Sequence, residues 1–286
     1  MKLDKSLNIL IIGLGLLGGS YAKALKKQGY KVYAITKDQS TVDYATKNGI
    51  VDYATTSVDE KLIKNANLIV FALYPHIFID WIKNYGNLIN EGTVITDVTG
   101  VKGTVVYEVQ SLLKDGVEFI SAHPMAGREA SGVEYSSDEV FKNANYIVVP
   151  TEKNSDSAKA LCRDLGETLG FSYISELTPQ RHDEMIAFLS QLTHCIAVSL
   201  MCANDDPDLE RYTGDSFRDL TRIANINDEM WSELFLANKT ALLGEMDKYK
   251  SAFDKLYNCI ATDDRDTMRE MMRLSTVRRK RFEKRN

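Results

Sequence analysis

Gly13, Gly15 and Gly18 stand in the spacing G-x-G-x-x-G within "NILIIGLGLLGGSYAKALKKQG". An apolar run precedes them and a helical pattern follows. Each glycine then has its own task. Gly13 permits a tight turn, Gly15 lets a pyrophosphate approach the main chain, and Gly18 lets the helix lie close to the sheet. The phosphates would meet the unpaired N–H groups at the helix start, beside Leu16 and Leu17. The bare spacing is weak evidence, but a strand, a helix and a second strand at "KVYAIT" all stand in place around it. The stretch therefore points to dinucleotide binding. After the second strand an acid normally bonds the adenosine ribose. Here Thr36 and Lys37 occupy that place, which suits a 2′-phosphate and leans the cofactor toward NADP. Asp38 comes next, and a shifted turn would let it hold the ribose of NAD instead.

The second chemical feature is "ISAHPMAGREASG", which holds His123, one of four histidines. Ligands of open α/β sheets bind beyond the carboxyl ends of the strands. His123 follows the apolar run Val117–Ser121, so it should reach the rim where a nicotinamide would lie. Tyr74 follows the third strand to the same rim, and Thr99, Gly100 and Lys102 follow the fourth. An imidazole that titrates near neutrality can take a hydroxyl proton while hydride leaves the carbon. Cys162, Cys195, Cys202 and Cys259 form no C-x-x-C pair. They imply neither a disulfide framework nor a metal site.

Strands are expected over Leu7–Ile12, Lys31–Ile35, Asn67–Leu73, Thr93–Val98, Val117–Ser121, Asn145–Val149 and Ser172–Ile174. The first five are almost unbroken apolar runs, the sign of strands covered on both faces. Between them lie amphipathic helices. In "NSDSAKALCRDLGETLG", Ala158, Leu161, Cys162, Leu165, Thr168 and Leu169 share one stripe. The alternation predicts an α/β Rossmann-type doubly wound sheet. After Glu176 the strands stop and "LTPQRHDEMIAFLSQLTHCIAVSLM" opens a helical half. The expected division is therefore residues 1–175 for the dinucleotide and 176–286 for an all-α substrate-binding and dimerisation domain. Met268, Met271, Met272 and Leu274 on one helix side suggest a homodimer. A net charge of -5 argues against nucleic acid as a partner. The glycine-broken run at residues 7–19 is too short to cross a membrane, so a cytoplasmic location is expected.

Two long stretches, "SAHPMAGREASGVEYS" and "GDSFRDLTRIANINDEMWSELFLANK", resemble signatures of the prephenate and arogenate dehydrogenases of tyrosine biosynthesis. "TDVTGVKG", "RHDEMIAFLSQLTH" and the glycine loop extend the resemblance over essentially the whole chain. It implies NAD(P)-dependent oxidative decarboxylation of prephenate to 4-hydroxyphenylpyruvate, or of arogenate to tyrosine. It also implies that His123 assists proton removal from the ring hydroxyl. His194 would be a second histidine near nicotinamide and substrate, and Arg222 would grip a substrate carboxylate. Asp219, three residues earlier, would orient that arginine, and Glu129 would close the pocket. The family commonly has serine where Gly100 stands, in contact with the catalytic histidine and substrate; here Thr99 would supply that hydroxyl to the substrate, and Gln191 stands where the family often has a histidine. His182 and Asp183 read as capping and packing residues, and His76 as having no chemical part. Two other readings stay open. One is a hydroxyacid or imine oxidoreductase, although its expected lysine on the long helix is replaced here by histidine and glutamine. The other is a dinucleotide sensor without catalysis.

Overall fold

In a computed structural model, residues 3–127 and 130–282 are described. The chain opens with β1 (Asn8–Ile12), α1 (Leu16–Lys27), β2 (Lys31–Ile35), α2 (Gln39–Lys47), β3 (Tyr53–Thr55) and α3 (Glu60–Asn65). It continues with β4 (Leu68–Phe71), α4 (Pro75–Tyr85), β5 (Val94–Asp97), α5 (Gly103–Leu112) and β6 (Glu118–Phe119). These six strands form one parallel sheet in the order β3-β2-β1-β4-β5-β6. The order reverses between β1 and β4, which opens a crevice beyond their carboxyl ends.

The apolar runs are continuous because both faces are covered. Ile9, Ile11, Val32, Ala34, Leu68 and Val70 pack with Tyr21, Leu25, Leu161 and Leu165. Their neighbours Leu10, Ile12, Ile35, Ile69 and Phe71 point the other way, to Ile63, Phe78, Trp81, Val105 and Val109. Alternation of side chains along each strand produces two cores from one sheet.

Beyond β6 the backbone changes sheets. Ile120 still bonds to Ile95 of β5, and then β7 (Ser121–Met125) pairs antiparallel with β8 (Asn145–Val149). Helix α6 (Asp156–Leu169) leads to β9 (Tyr173–Glu176), parallel to β8. His123, expected in a loop after one strand, therefore lies on a strand of a second sheet, opposite Ile147. Pro124 cannot donate to a ladder, and β7 tolerates it as an edge strand. Strand β3 escaped sequence reading because its three residues carry only one buried side chain, Ala54.

Helix α7 (Pro179–Ile186) passes through a π-helical stretch, Ala187–Gln191, into α8 (Leu192–Cys202). Helices α9 (Asp215–Thr221) and α10 (Asp228–Ala237) follow. Residues 1–238 form one compact unit and residues 239–286 another. Helices α7 to α10 thus pack with the α/β layers, and the break between units falls later than the change of composition near residue 175. The second unit contains α11 (Lys239–Ala261) and α12 (Arg265–Arg279), with Asp264 capping α12 through the Thr267 N–H. By length and composition alone the stretch Pro179–Cys202 would also suit a bilayer, and 28% of its most apolar window is buried within this chain.

Candidate functional site

The glycine loop has the shape its spacing demands. Gly13 adopts φ +96°, and its N–H bonds to the Ile35 carbonyl at the end of β2. A Cβ at Gly13 would sit 2.4 Å from the Ala72 oxygen, and one at Gly18 1.9 Å from the Gly13 oxygen. Both positions are closed to any side chain. Gly15 differs, because a Cβ there meets nothing within 4 Å. It caps α1 with no side-chain bond, so the first N–H groups of the helix face an open cradle. Anionic phosphate suits that helix end. The loop fits a dinucleotide, which would be held by Gly13, Gly15, Leu16, Leu17 and Gly18. Tyr74 stands on the other wall as the N-cap of α4, its hydroxyl 3.3 Å from Asn227. Thr36 is half-buried and Lys37 exposed, with Asp38 at the N-cap position of α2, its side chain making no capping bond.

Gly15→Ala tests the cradle without straining the fold. Dinucleotide affinity should fall on the order of ten-fold, since a methyl group would stand where the pyrophosphate must approach. Thermal stability should hold. A fluorescence titration with the reduced cofactor that gave unchanged affinity would show that phosphate does not come near Gly15.

The base of the other side is a buried polar network. Lys102 and Asp97 are fully buried, and the ammonium lies 2.9 Å from Asp97 Oδ2 and 2.7 Å from the Ala122 carbonyl. Asp97 Oδ1 accepts from Ser121 Oγ at 2.5 Å and from the Ala122 N–H at 3.1 Å. The Thr99 hydroxyl is bound inward, to Asp97 and to the Val101 carbonyl. Thr99 was expected to offer that hydroxyl to substrate, but in this arrangement its proton serves the buried carboxylate. Burial pulls the Lys102 ammonium below the usual lysine value, with the Asp97 charge opposing.

His123 emerges directly after this network and is half-buried. Its Nδ1 lies 2.8 Å from Nε2 of His182, and Nδ1 of His182 lies 2.8 Å from Asp183 Oδ1. Asp183 in turn accepts the backbone N–H groups of Lys102 and Gly103, at 2.9 and 2.7 Å, closing the start of α5. Asp183 thus caps the start of α5 and not the helix it stands on, which is capped by Thr178. His182 is completely buried and does more than pack. Burial, the neighbouring His182 and the Lys102 charge together push His123 well below the ordinary histidine value. His182 is also lowered, chiefly by burial.

His194 on α8 stacks on Trp231, with ring centroids 3.7 Å apart. Its Nδ1 is 2.8 Å from the Ser190 carbonyl. A carbonyl only accepts, so Nδ1 carries a proton. Trp231 was not foreseen as a site residue. Arg222 is exposed at the start of a 3-10 turn that packs against α8, the helix of His194, and Asp219 is exposed on α9 just before it. Glu129 lies outside the described residues. Gln191 is buried and structural, since it donates to the Leu234 carbonyl and accepts from Asn238. His76 bonds through its N–H and ring to Glu233 of α10 at 2.8 and 2.7 Å. Among the described residues no group of His, Cys, Asp and Glu is arranged to hold a metal ion.

Comparison with known proteins identifies two family profiles. Residues 21–174 match "Prephenate dehydrogenase, nucleotide-binding domain" and residues 178–274 match "Prephenate dehydrogenase, dimerization domain". A prephenate dehydrogenase of Lactococcus lactis is 32% identical over 257 residues, covering 87% of this chain and 70% of its own. One of Bacillus subtilis is 29% identical over 267 residues, covering 91% of this chain and 72% of its own. Among solved structures, the Aquifex aeolicus prephenate dehydrogenase in complex with hydroxyphenyl propionate and NAD+ superposes with a TM-score of 0.89. That match has 28% identity and covers 99% of this chain and all of the other.

Proposed function

The chain belongs to the prephenate dehydrogenase family of NAD(P)-dependent dehydrogenases, and from that premise we propose that it oxidatively decarboxylates prephenate to 4-hydroxyphenylpyruvate. The observation that carries this reading is the pairing of a phosphate cradle at the β1–β4 crevice with a low-pKa histidine beyond the end of β5. A bound nicotinamide dinucleotide would supply the hydride acceptor. His123, neutral at physiological pH, takes the proton of the ring hydroxyl as that carbon becomes a carbonyl. Loss of the ring carboxylate as CO2 then returns its electron pair to the ring, and the resulting phenoxide recovers the proton. Arg222 is the planar cation that holds a substrate carboxylate, with Asp219 nearby to orient it and Glu129 to close the pocket. His194, held by Trp231 and Ser190, faces the substrate from α8.

Residues 1–175 serve the dinucleotide, and residues 176–286 bind substrate and dimerise. Exposed apolar side chains favour a homodimer. They include Phe188, Leu189 and Met201 around α8, and Phe253, Tyr257 and Ile260 on α11. A second copy would cover the apolar stretch Pro179–Cys202, and the enzyme would work in the cytoplasm. Thr36 and Lys37 lean the cofactor toward NADP.

The test is direct. Purified protein is mixed with prephenate and either NAD or NADP, and the reduced nicotinamide band is followed. Reduction with release of CO2 is expected, faster with NADP. Turnover of arogenate alone would move the substrate assignment to its amino analogue. No reduction with either substrate would overturn the reading and favour a non-catalytic binder.

A further inference from the structure

His123, His182 and Asp183 form an unbroken chain of hydrogen bonds that ends on main-chain N–H groups. Its direction follows from the far end. Asp183 already accepts from Lys102 N and Gly103 N, so its carboxylate is fixed as an acceptor. His182 must therefore present an N–H at Nδ1 to reach it at 2.8 Å. A neutral imidazole has one N–H and one lone pair. The lone pair of His182 then sits at Nε2, facing Nδ1 of His123 at 2.8 Å. His123 must supply the proton of that bond from Nδ1, which leaves its own Nε2 unprotonated.

We propose that Asp183 and His182 are positioning residues that set the tautomer of His123, so that Nε2 is the atom available to take a proton. This rests on the reading of His123 as the proton acceptor. The arrangement does two further things. It holds the ring in one orientation, because His182 is completely buried and cannot turn away. It also gives the imidazolium that forms at His123 a neutral partner, with the Asp183 carboxylate one ring further on. Lys102, which borders both histidines from the start of α5, opposes that charge, and Asp97 below Lys102 offsets it. The same main-chain anchor explains why Asp183 stands next to His182. One residue ties the α5 start, the other reaches β7, and α7 presents both.

The experiment reads the tautomer itself. Protein labelled with nitrogen-15 in histidine, without substrate, is studied by two-bond proton–nitrogen correlation at neutral pH. His123, assigned by its loss in His123→Asn, should show the Nδ1–H form. An Nε2–H pattern in the unaltered protein would overturn the proposal, whatever the substrate proves to be. In Asp183→Ala no carboxylate holds the proton of His182 at Nδ1, so His123 should lose its pure Nδ1–H pattern and show the Nε2–H form as well. Turnover of prephenate should then fall at least several-fold in kcat, with KM nearly unchanged. A purely structural role would lower stability and leave both tautomer and kcat of the folded fraction alone, which would also overturn the assignment. Absence of prephenate turnover in the unaltered protein would instead count against the function and not against the tautomer.

Discussion

His123→Asn should bind prephenate and cofactor with near-normal affinity and turn over roughly 10²–10⁴-fold more slowly, the range expected when a general base is removed. Asparagine retains a polar group that can meet Nε2 of His182, so the local fold should survive, but it cannot take a proton. The pH behaviour of the unaltered enzyme follows from the same ring. Burial, His182 and Lys102 hold His123 well below its ordinary value near 6.5. The base is therefore already in its working form at neutrality. The kcat profile should stay level as pH falls through 6.5 and drop only below it. The stability sign is the same. A histidine depressed in the folded state binds fewer protons than in the unfolded chain, so stability is full above the unfolded value and is lost as pH falls through the folded one. His182 adds to this loss in the same direction. His123→Asn should thus flatten the acid side of a plot of melting temperature against pH. Turnover within a few-fold of the unaltered enzyme would remove His123 from the chemistry.

The glycine loop could be read from sequence because its constraints are local. A positive φ at Gly13 and a helix packed against Gly18 are decided within a few residues. The parallel sheet could be read for a similar reason, since a strand buried on both faces is apolar at every position. What could not be read is what joins distant residues. His123 and His182 are 59 positions apart, and neither carries any mark of the other. Gln191, Asn238 and Leu234 close a buried set of bonds across comparable distances. The π-helical turn at Ala187–Gln191 also breaks the regular helical period that would have placed side chains on faces. Thr99 shows a different limit. Its hydroxyl looks available as long as Asp97 has no partner, yet an acid at the end of an apolar strand must be satisfied from within. That carboxylate was the available signal for the network beneath His123.

Lys102→Met is the sharpest test of that network, with an expected cost of about 3–5 kcal/mol in folding stability. The ammonium meets Asp97, Thr99 and the Ala122 carbonyl, three acceptors for its three protons. Methionine fills the volume but leaves the carboxylate of Asp97 buried without its cation, and that uncompensated charge is what makes the change expensive. Lys27→Met supplies the contrast. Lys27 is 2.6 Å from Asp138, a shorter contact than Lys102 makes with Asp97, but its side chain is 64% exposed. Water already screens that pair, so its loss should cost far less than the loss of the buried one. Distance alone would rank the two variants the other way; burial decides between them. The Lys102 variant should also lose turnover in its folded fraction. Its ammonium holds the carbonyl of Ala122, the residue directly before His123. Denaturant unfolding of the two variants side by side checks the ranking, and equal costs would mean that water reaches Asp97.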